Sequence, residues 1–199
     1  MKNGVTRALL VTPLLLPALA AAQNNGTRPQ SSQFNYSYVE ISYDESDFDV
    51  GAGDIDGDGL TLSGSYEIND DWHAFASYGT ADLDFGIDID TLALGAGYVF
   101  PLQDDVDLYG RVLYINTDVD VPGGGDSDED GLGLQFRARM LVADDLEVEG
   151  GIQYIDVGEN DTSLQVGARY YFTEEFSAGI GLTFGGDTDG IGINARYAF

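Results

Sequence analysis

The chain has 199 residues, with 8 Lys and Arg against 35 Asp and Glu for a formal charge of −27, and it contains no Cys. Recognition of nucleic acid and of anionic membrane surfaces runs on basic contacts, so both are excluded as partners, and no disulfide framework or lipidated Cys exists. An acidic chain can be disordered, but 12 Tyr, 10 Phe and 43% hydrophobic residues argue for a packed fold.

Residues 1–22 read as an export signal. Lys2 and Arg7 give a positive start, an apolar run over 8–19 is broken by Pro13 and Pro17, and Ala20, Ala21 and Ala22 form a small-residue cleavage site. The run is too short to span a bilayer. Removal takes two of the 8 basic residues and none of the 35 acids, leaving a formal charge of −29. Residues 23–33 are polar, include Gly26 and Pro29, and read as a flexible leader.

Residues 34–199 carry ten alternating segments: 34–44, 59–68, 72–81, 88–100, 106–116, 131–142, 146–156, 162–172, 176–185 and 190–199. Most are about ten residues, the length of a tilted strand that crosses a bilayer. The connections alternate in length. Pairs of acids at Asp70-Asp71, Asp104-Asp105, Asp144-Asp145 and Glu174-Glu175 mark tight turns, while 45–58, 82–87, 117–130, 157–161 and 186–189 are longer or richer in Gly and Asp. Short turns on one side and long loops on the other are the asymmetry of a transmembrane antiparallel up-and-down barrel. The expectation is ten strands, with eight as the alternative if a terminal hairpin fails to close.

The parity of the charges separates this fold from a soluble sandwich. An Arg on the lipid face at mid-membrane costs about 2–4 kcal/mol, so strand Arg residues must face inward. Arg111, Arg137, Arg139, Arg169 and Arg196 all lie opposite the apolar parity of their own segments, a result expected by chance about one time in thirty for a period of two. Glu40, Glu67, Asp107, Glu147 and Glu149 share the polar parity. These ten residues form a candidate lumen charge ladder. A three-residue turn over 143–145 sets Arg139 opposite Glu149; a one-step change of register sets Arg139 opposite Glu147 and Arg137 opposite Glu149. The polar parity is otherwise rich in Gly, whereas the apolar parity carries the bulk. Trp72, Tyr98, Phe100, Phe172, Phe176, Tyr197 and Phe199 gather at the turn side, and Tyr43, Tyr78, Tyr114, Tyr154 and Phe184 at the loop side, as two aromatic girdles would.

The alternating hairpins, together with the ending Asn194-Ala195-Arg196-Tyr197-Ala198-Phe199, resemble the small outer-membrane β-barrel (porin-like) domain family of Gram-negative bacteria. The terminal aromatics Tyr197 and Phe199 are similar to the signal by which the barrel-assembly machinery recognises its clients. The resemblance covers residues 34–199 and implies location in the outer membrane and contact with outer-membrane lipids, and the even strand count leaves both termini at the periplasmic side. The family mixes porin-like, structural and surface-binding members, so it implies compartment and fold more firmly than activity.

Three motifs bear on chemistry. Asp54, Asp56 and Asp58 before Gly59, and Asp126, Asp128 and Asp130 before Gly131, have the spacing at which carboxylates in a turn converge on a hard cation. The twelfth positions are Ser65 and Arg137 rather than Glu, which excludes an EF-hand and leaves weak Ca²⁺ or Mg²⁺ binding by external loops, with no cofactor required. His73, the one His, follows a turn and is expected at the periplasmic rim as a polar lining residue. A hydrolase would need it to find Ser63, Ser65 or Ser77 and an acid such as Glu67. Gly95-Ala96-Gly97 and Gly123-Gly124-Gly125 open no helix and are not nucleotide loops. The favoured function is structural or a narrow passive pore. The alternative is cation-dependent surface binding to an unknown ligand, and a hydrolase ranks third.

Overall fold

The computed structural model describes residues 32–49, 54–123, 125–185 and 188–199. The expected signal and residues 23–31 of the leader lie outside the described residues. Ten strands follow in chain order: β1 Tyr38–Asp49, β2 Asp54–Asn69, β3 Trp72–Leu83, β4 Ile87–Gln103, β5 Val106–Val121, β6 Gly125–Ala143, β7 Leu146–Val157, β8 Glu159–Tyr171, β9 Phe176–Phe184 and β10 Thr188–Ala198. Every neighbour pair is antiparallel, and β1 pairs with β10 from Tyr38↔Ala198 to Phe48↔Thr188, which closes the barrel. The eight-strand alternative is overturned by this seam.

The turns are tight because local side chains supply their hydrogen bonds. Asn69 Oδ1 accepts from the backbone N–H groups of Asp71 and Trp72, each at 3.1 Å, and Thr173 Oγ1 accepts from those of Glu175 and Phe176. The turn after β6 is the pair Asp144-Asp145 rather than a three-residue turn, because Ala143 pairs with Leu146 and the register shifts between Leu141 and Ala143. Such a bulge absorbs one residue and fixes the register beyond it.

At the other end the strands run well past the expected segments. Much of 45–58 and 117–130, expected as loops, is ladder: β1 and β2 pair from Asp49↔Asp54, and β5 and β6 from Val121↔Gly125. Parity explains this. In the middle of the barrel Leu62, Leu134, Phe136 and Ile193 are more than half exposed on the outer face, as a lipid-facing band requires. Beyond that band the outward positions become Asp, while Ile55, Leu83, Ile87, Ile89 and Val119 turn inward and are half-buried. The ends of these hairpins therefore follow the pattern of a soluble barrel, with acids in water and apolar side chains inside.

Candidate functional site

Cross-strand register sorts the inward side chains into rows that climb around the tilted barrel, each mixing long side chains with Gly. One row reads Asp107, Arg139, Glu149, Gly167, Gly181, Gly192 and Asp44. Another reads His73, Gly97, Arg111, Gln135 and Gln153. A narrow barrel has room for charged side chains only where facing positions have none, which accounts for the Gly-rich polar parity. A Cβ on Gly97 would lie 2.9 Å from Arg111 Cγ and closer still to the His73 ring.

The ion pairs run diagonally. Arg139 stands opposite Glu149 in register, but its guanidinium grips Glu147 with two bonds, Nε to Oε1 at 2.9 Å and Nη2 to Oε2 at 2.8 Å. Glu149 then accepts from Arg137 Nη1 at 2.5 Å and from the Tyr109 hydroxyl at 2.9 Å. The Arg139–Glu147 pair is almost wholly enclosed, at 2% and 3% side-chain exposure, and Tyr171 also donates to Glu147. On the opposite wall Glu40 binds two cations at once, Arg169 at 2.6 Å and its register partner Arg196 at 2.9 Å. Fork-shaped guanidinium contacts of this kind hold geometry as well as charge.

Three expected ladder members take other partners. Arg111 has no carboxylate within 4.0 Å among the described residues. Instead its Nε donates to His73 Nε2 at 2.9 Å and its Nη2 to the Tyr38 hydroxyl at 3.0 Å, with the guanidinium 4.3 Å above the Phe75 ring centre. Asp107 is fully enclosed and bonds hydroxyls, those of Tyr36 at 3.1 Å and of Ser32. Glu67 is exposed at the turn end, where it accepts from the Tyr36 backbone N–H at 3.0 Å. His73, the second residue of β3, lies at the turn end as expected but is covered by the segment ahead of β1. It is fully buried, and among the described residues no Ser bonds it.

The segment ahead of β1 supplies what these groups bind. Residues 34–37, expected as the start of the first strand, leave the ladders at Tyr38; Ser37 O still accepts from the Phe199 N–H at 3.0 Å, and Phe34 and Tyr36 turn into the barrel. Phe34 is 5% and Tyr36 2% exposed, packed with Val99 and Tyr109. Tyr36 stacks on His73 at 5.1 Å between ring centres, and Arg139 lies 4.5 Å above Phe34 and 4.9 Å above Tyr36. Asn35 Nδ2 reaches the Phe199 carbonyl at 3.2 Å. The segment is an internal plug at the turn end. Its signal in the sequence was the large aromatics Phe34, Tyr36 and Tyr38 at the otherwise small and polar inward parity.

The sequence pattern of the outer membrane protein beta-barrel domain family matches residues 8–184. The chain belongs to that family. It is an integral protein of the outer membrane. Among solved structures the barrel is similar to an outer membrane channel from Pseudomonas putida F1, at 12% identity over 87% of this chain and 100% of that one with a TM-score of 0.56. It is also similar to Neisserial surface protein A, at 19% identity over 81% and 96% with a TM-score of 0.47. A third similar structure is Ail, the attachment invasion locus protein of Yersinia pestis, at 16% identity over 83% and 99% with a TM-score of 0.46. Likeness at these identities shows the fold alone. No curated protein matches the chain in sequence.

In this outer-membrane barrel the girdle at the turn end is a set of touching rings: Trp72 with Tyr98 at 5.1 Å, Tyr170 with Phe172 at 5.2 Å, and Phe176 with Tyr197 at 4.8 Å. Above the plug and the ion pairs the lumen opens into a cavity of about 580 Å³ bounded below by Tyr38, Arg137 and Glu147. Phe75, Ile155 and Val157 form one wall over the buried Ala93, Leu113 and Ile115, while Ser42, Thr61, Ser63 and Asn194 line the other.

The expected metal loops do not converge. Asp56 and Asp58 lie along β2, and Asp126, Asp128 and Asp130 along β6, where same-face residues stand about 6.8 Å apart. The Asp54 side chain lies outside the described residues. Among the described residues no group of three His, Cys, Asp or Glu side chains could hold one ion. Register instead sets Glu45, Asp58, Asp82, Asp88, Asp120 and Asp126 side by side on the outer face of six adjacent strands. Like charges directly opposite one another are unfavourable in a sheet, so this row is maintained against its own repulsion.

Proposed function

We propose that this outer-membrane barrel has a structural role with its lumen closed at rest, leaving only a narrow, cation-favouring passive route. The carrying observation is the chain's own segment at the periplasmic end, where Phe34 and Tyr36 are 5% and 2% exposed beneath the Arg139–Glu147 pair. The acidic hairpins concentrate cations at the external mouth, which sets the selectivity of any leak. Single-channel recording tests this. The mature protein conducts far less than an open porin, and either Phe34→Ala with Tyr36→Ala or Arg137→Ala with Arg139→Ala raises the conductance. Wild-type conductance like that of a large porin, with both double variants unchanged, overturns the reading. Catalysis forms no part of it, because His73 Nε2 is occupied by Arg111. Assembly belongs to it: Tyr197 and Phe199 present the ending that the barrel-assembly machinery reads.

The row of six carboxylates favours a second reading, cation-dependent contact with lipid phosphates or another surface. Ca²⁺ or Mg²⁺ bridging neighbouring strands would offset the repulsion, and binding to the folded hairpins stabilises them by mass action. Millimolar Ca²⁺ then protects the β5–β6 hairpin from proteolysis. Digestion indifferent to Ca²⁺ and to chelator removes this reading.

A further inference from the structure

We propose that the cavity above the plug is a binding cup, entered from the cell exterior, for a small amphipathic carboxylate whose apolar body lies on the β3–β7 wall and whose carboxylate meets Arg111. The proposal rests on the closed-lumen reading only in that a shut floor makes the cavity blind. At about 580 Å³ the cavity has the size of a small-molecule site, which is typically about 300–1,000 Å³. A water-filled ion path has no use for a contiguous apolar wall. Here Phe75, Ile155 and Val157 stay half-buried over Ala93, Leu113 and Ile115, facing hydroxyl and amide groups across the lumen. A concave site of that kind, apolar on one side with a few placed polar groups, suits a ligand with two unlike faces.

Arg111 stands at the base of the apolar wall, stacked 4.3 Å above Phe75. Each of the other four strand Arg residues has a carboxylate within 4.0 Å; among the described residues Arg111 has none. His73 and Tyr38 take two of the five N–H groups that a guanidinium offers, and the rest are left for an anion. Its register neighbour Gln135 gives its amide N–H to Gln153 at 2.8 Å, yet its buried Oε1 has no partner among the described residues. Arg137 Nε, on the next inward position of β6, is also buried without one. A buried polar atom left unpaired is costly, and each such atom needs an explanation. A carboxylate on Arg111 answers the unpaired charge, and Gln135 Oε1 beside it is left to accept from any ligand that also carries a donor.

The test uses the mature protein in zwitterionic lipid nanodiscs and follows 4-(trifluoromethyl)benzoate and the neutral 4-(trifluoromethyl)benzyl alcohol by fluorine NMR, with empty nanodiscs as reference. The benzoate binds saturably and more tightly than the alcohol. Arg111→Gln weakens the benzoate at least tenfold and leaves the alcohol unchanged. Ser63→Trp, which fills the cup from the opposite wall, removes binding of both. Benzoate uptake equal to that of empty nanodiscs, no tighter than the alcohol's, or indifferent to Ser63→Trp overturns the cup. If Arg111→Gln does not fold, the benzoate-to-alcohol ratio and Ser63→Trp decide alone. Conductance of the same preparation separates the two readings. Low conductance without binding refutes the cup but not the closed lumen, and saturable binding with large conductance refutes the closed lumen but not the site.

Discussion

Replacing Glu40 by Ala removes one carboxylate and strands two guanidinium groups. Arg169 at 2.6 Å and Arg196 at 2.9 Å are each 10% exposed, and no other carboxylate lies within 4.0 Å of either among the described residues. Taking one partner from a buried pair costs about 3–5 kcal/mol, because the remaining charge stays out of water. Glu40 lines the cavity, so solvent from the cup relieves part of this, and about 3 kcal/mol is the expected loss. The loss falls on the closing seam, where Glu40 and Arg196 are register partners between β1 and β10. With a urea dependence of about 2 kcal/mol/M, the unfolding midpoint drops by about 1.5 M. The single Trp, Trp72, sits half-exposed on the lipid face and reports unfolding of protein refolded in vesicles through its own fluorescence. Removing the network whole is different: Glu40→Met with Arg169→Met and Arg196→Met recovers most of the loss, since apolar replacement of a complete buried ion group is often near neutral. A midpoint for Glu40→Ala within about 0.25 M of wild type, equivalent to about 0.5 kcal/mol, refutes the reasoning, as does a triple variant weaker than the single one.

Gly97→Ala drives a methyl group against the His73 ring and Arg111, costing about 1–3 kcal/mol in the same titration, whereas Gly64→Ala meets only the Tyr38 carbonyl at 3.6 Å and Val39 at 3.9 Å and stays near neutral. In the acidic row, a hydrogen bond with Asp82, local desolvation and the charges of Asp82, Asp120 and Asp90 push the Asp88 carboxyl up. A raised folded value means that its contribution is fully present below the ordinary Asp value and is lost as pH rises through the raised one, so the β3–β4 hairpin tip exchanges amide hydrogens with less protection at pH 7 than near pH 4 after correction for intrinsic exchange. Equal corrected protection at both pH values counts against this account. Phe199→Ala lowers the fraction of exported chain recovered in the outer membrane, and an unchanged fraction shows that the terminal aromatic is dispensable for assembly.

The sequence alone determined the barrel and its inside-out polarity, because a period of two ties each residue's face to its parity and lipid forbids Arg on one of those faces, while the β1–β10 seam decided ten strands over eight. Arg137, Arg139, Glu147 and Glu149 were legible as neighbours from the length of one turn. Their diagonal pairing was not, since it depends on the bulge before Ala143 and on how far each side chain reaches. The acidic stretches 45–58 and 117–130 read as loops because Asp is poor in strands; their inward positions are apolar, Ile55 on β2 and Val119 on β5, the latter beside its register partner Ile89 on β4. Only the tertiary structure decided the plug and the Arg111–His73 contact. Phe34 and Tyr36 alternate as a strand would, but the β1 ladders end at Tyr38, and before it side chains take the backbone donors: Glu67 accepts from the Tyr36 N–H at 3.0 Å and Asn35 from the Ser37 N–H at 2.7 Å. Phe34 and Tyr36 turn into the barrel, where His73, Arg139 and Asp107, distant in sequence, already stand.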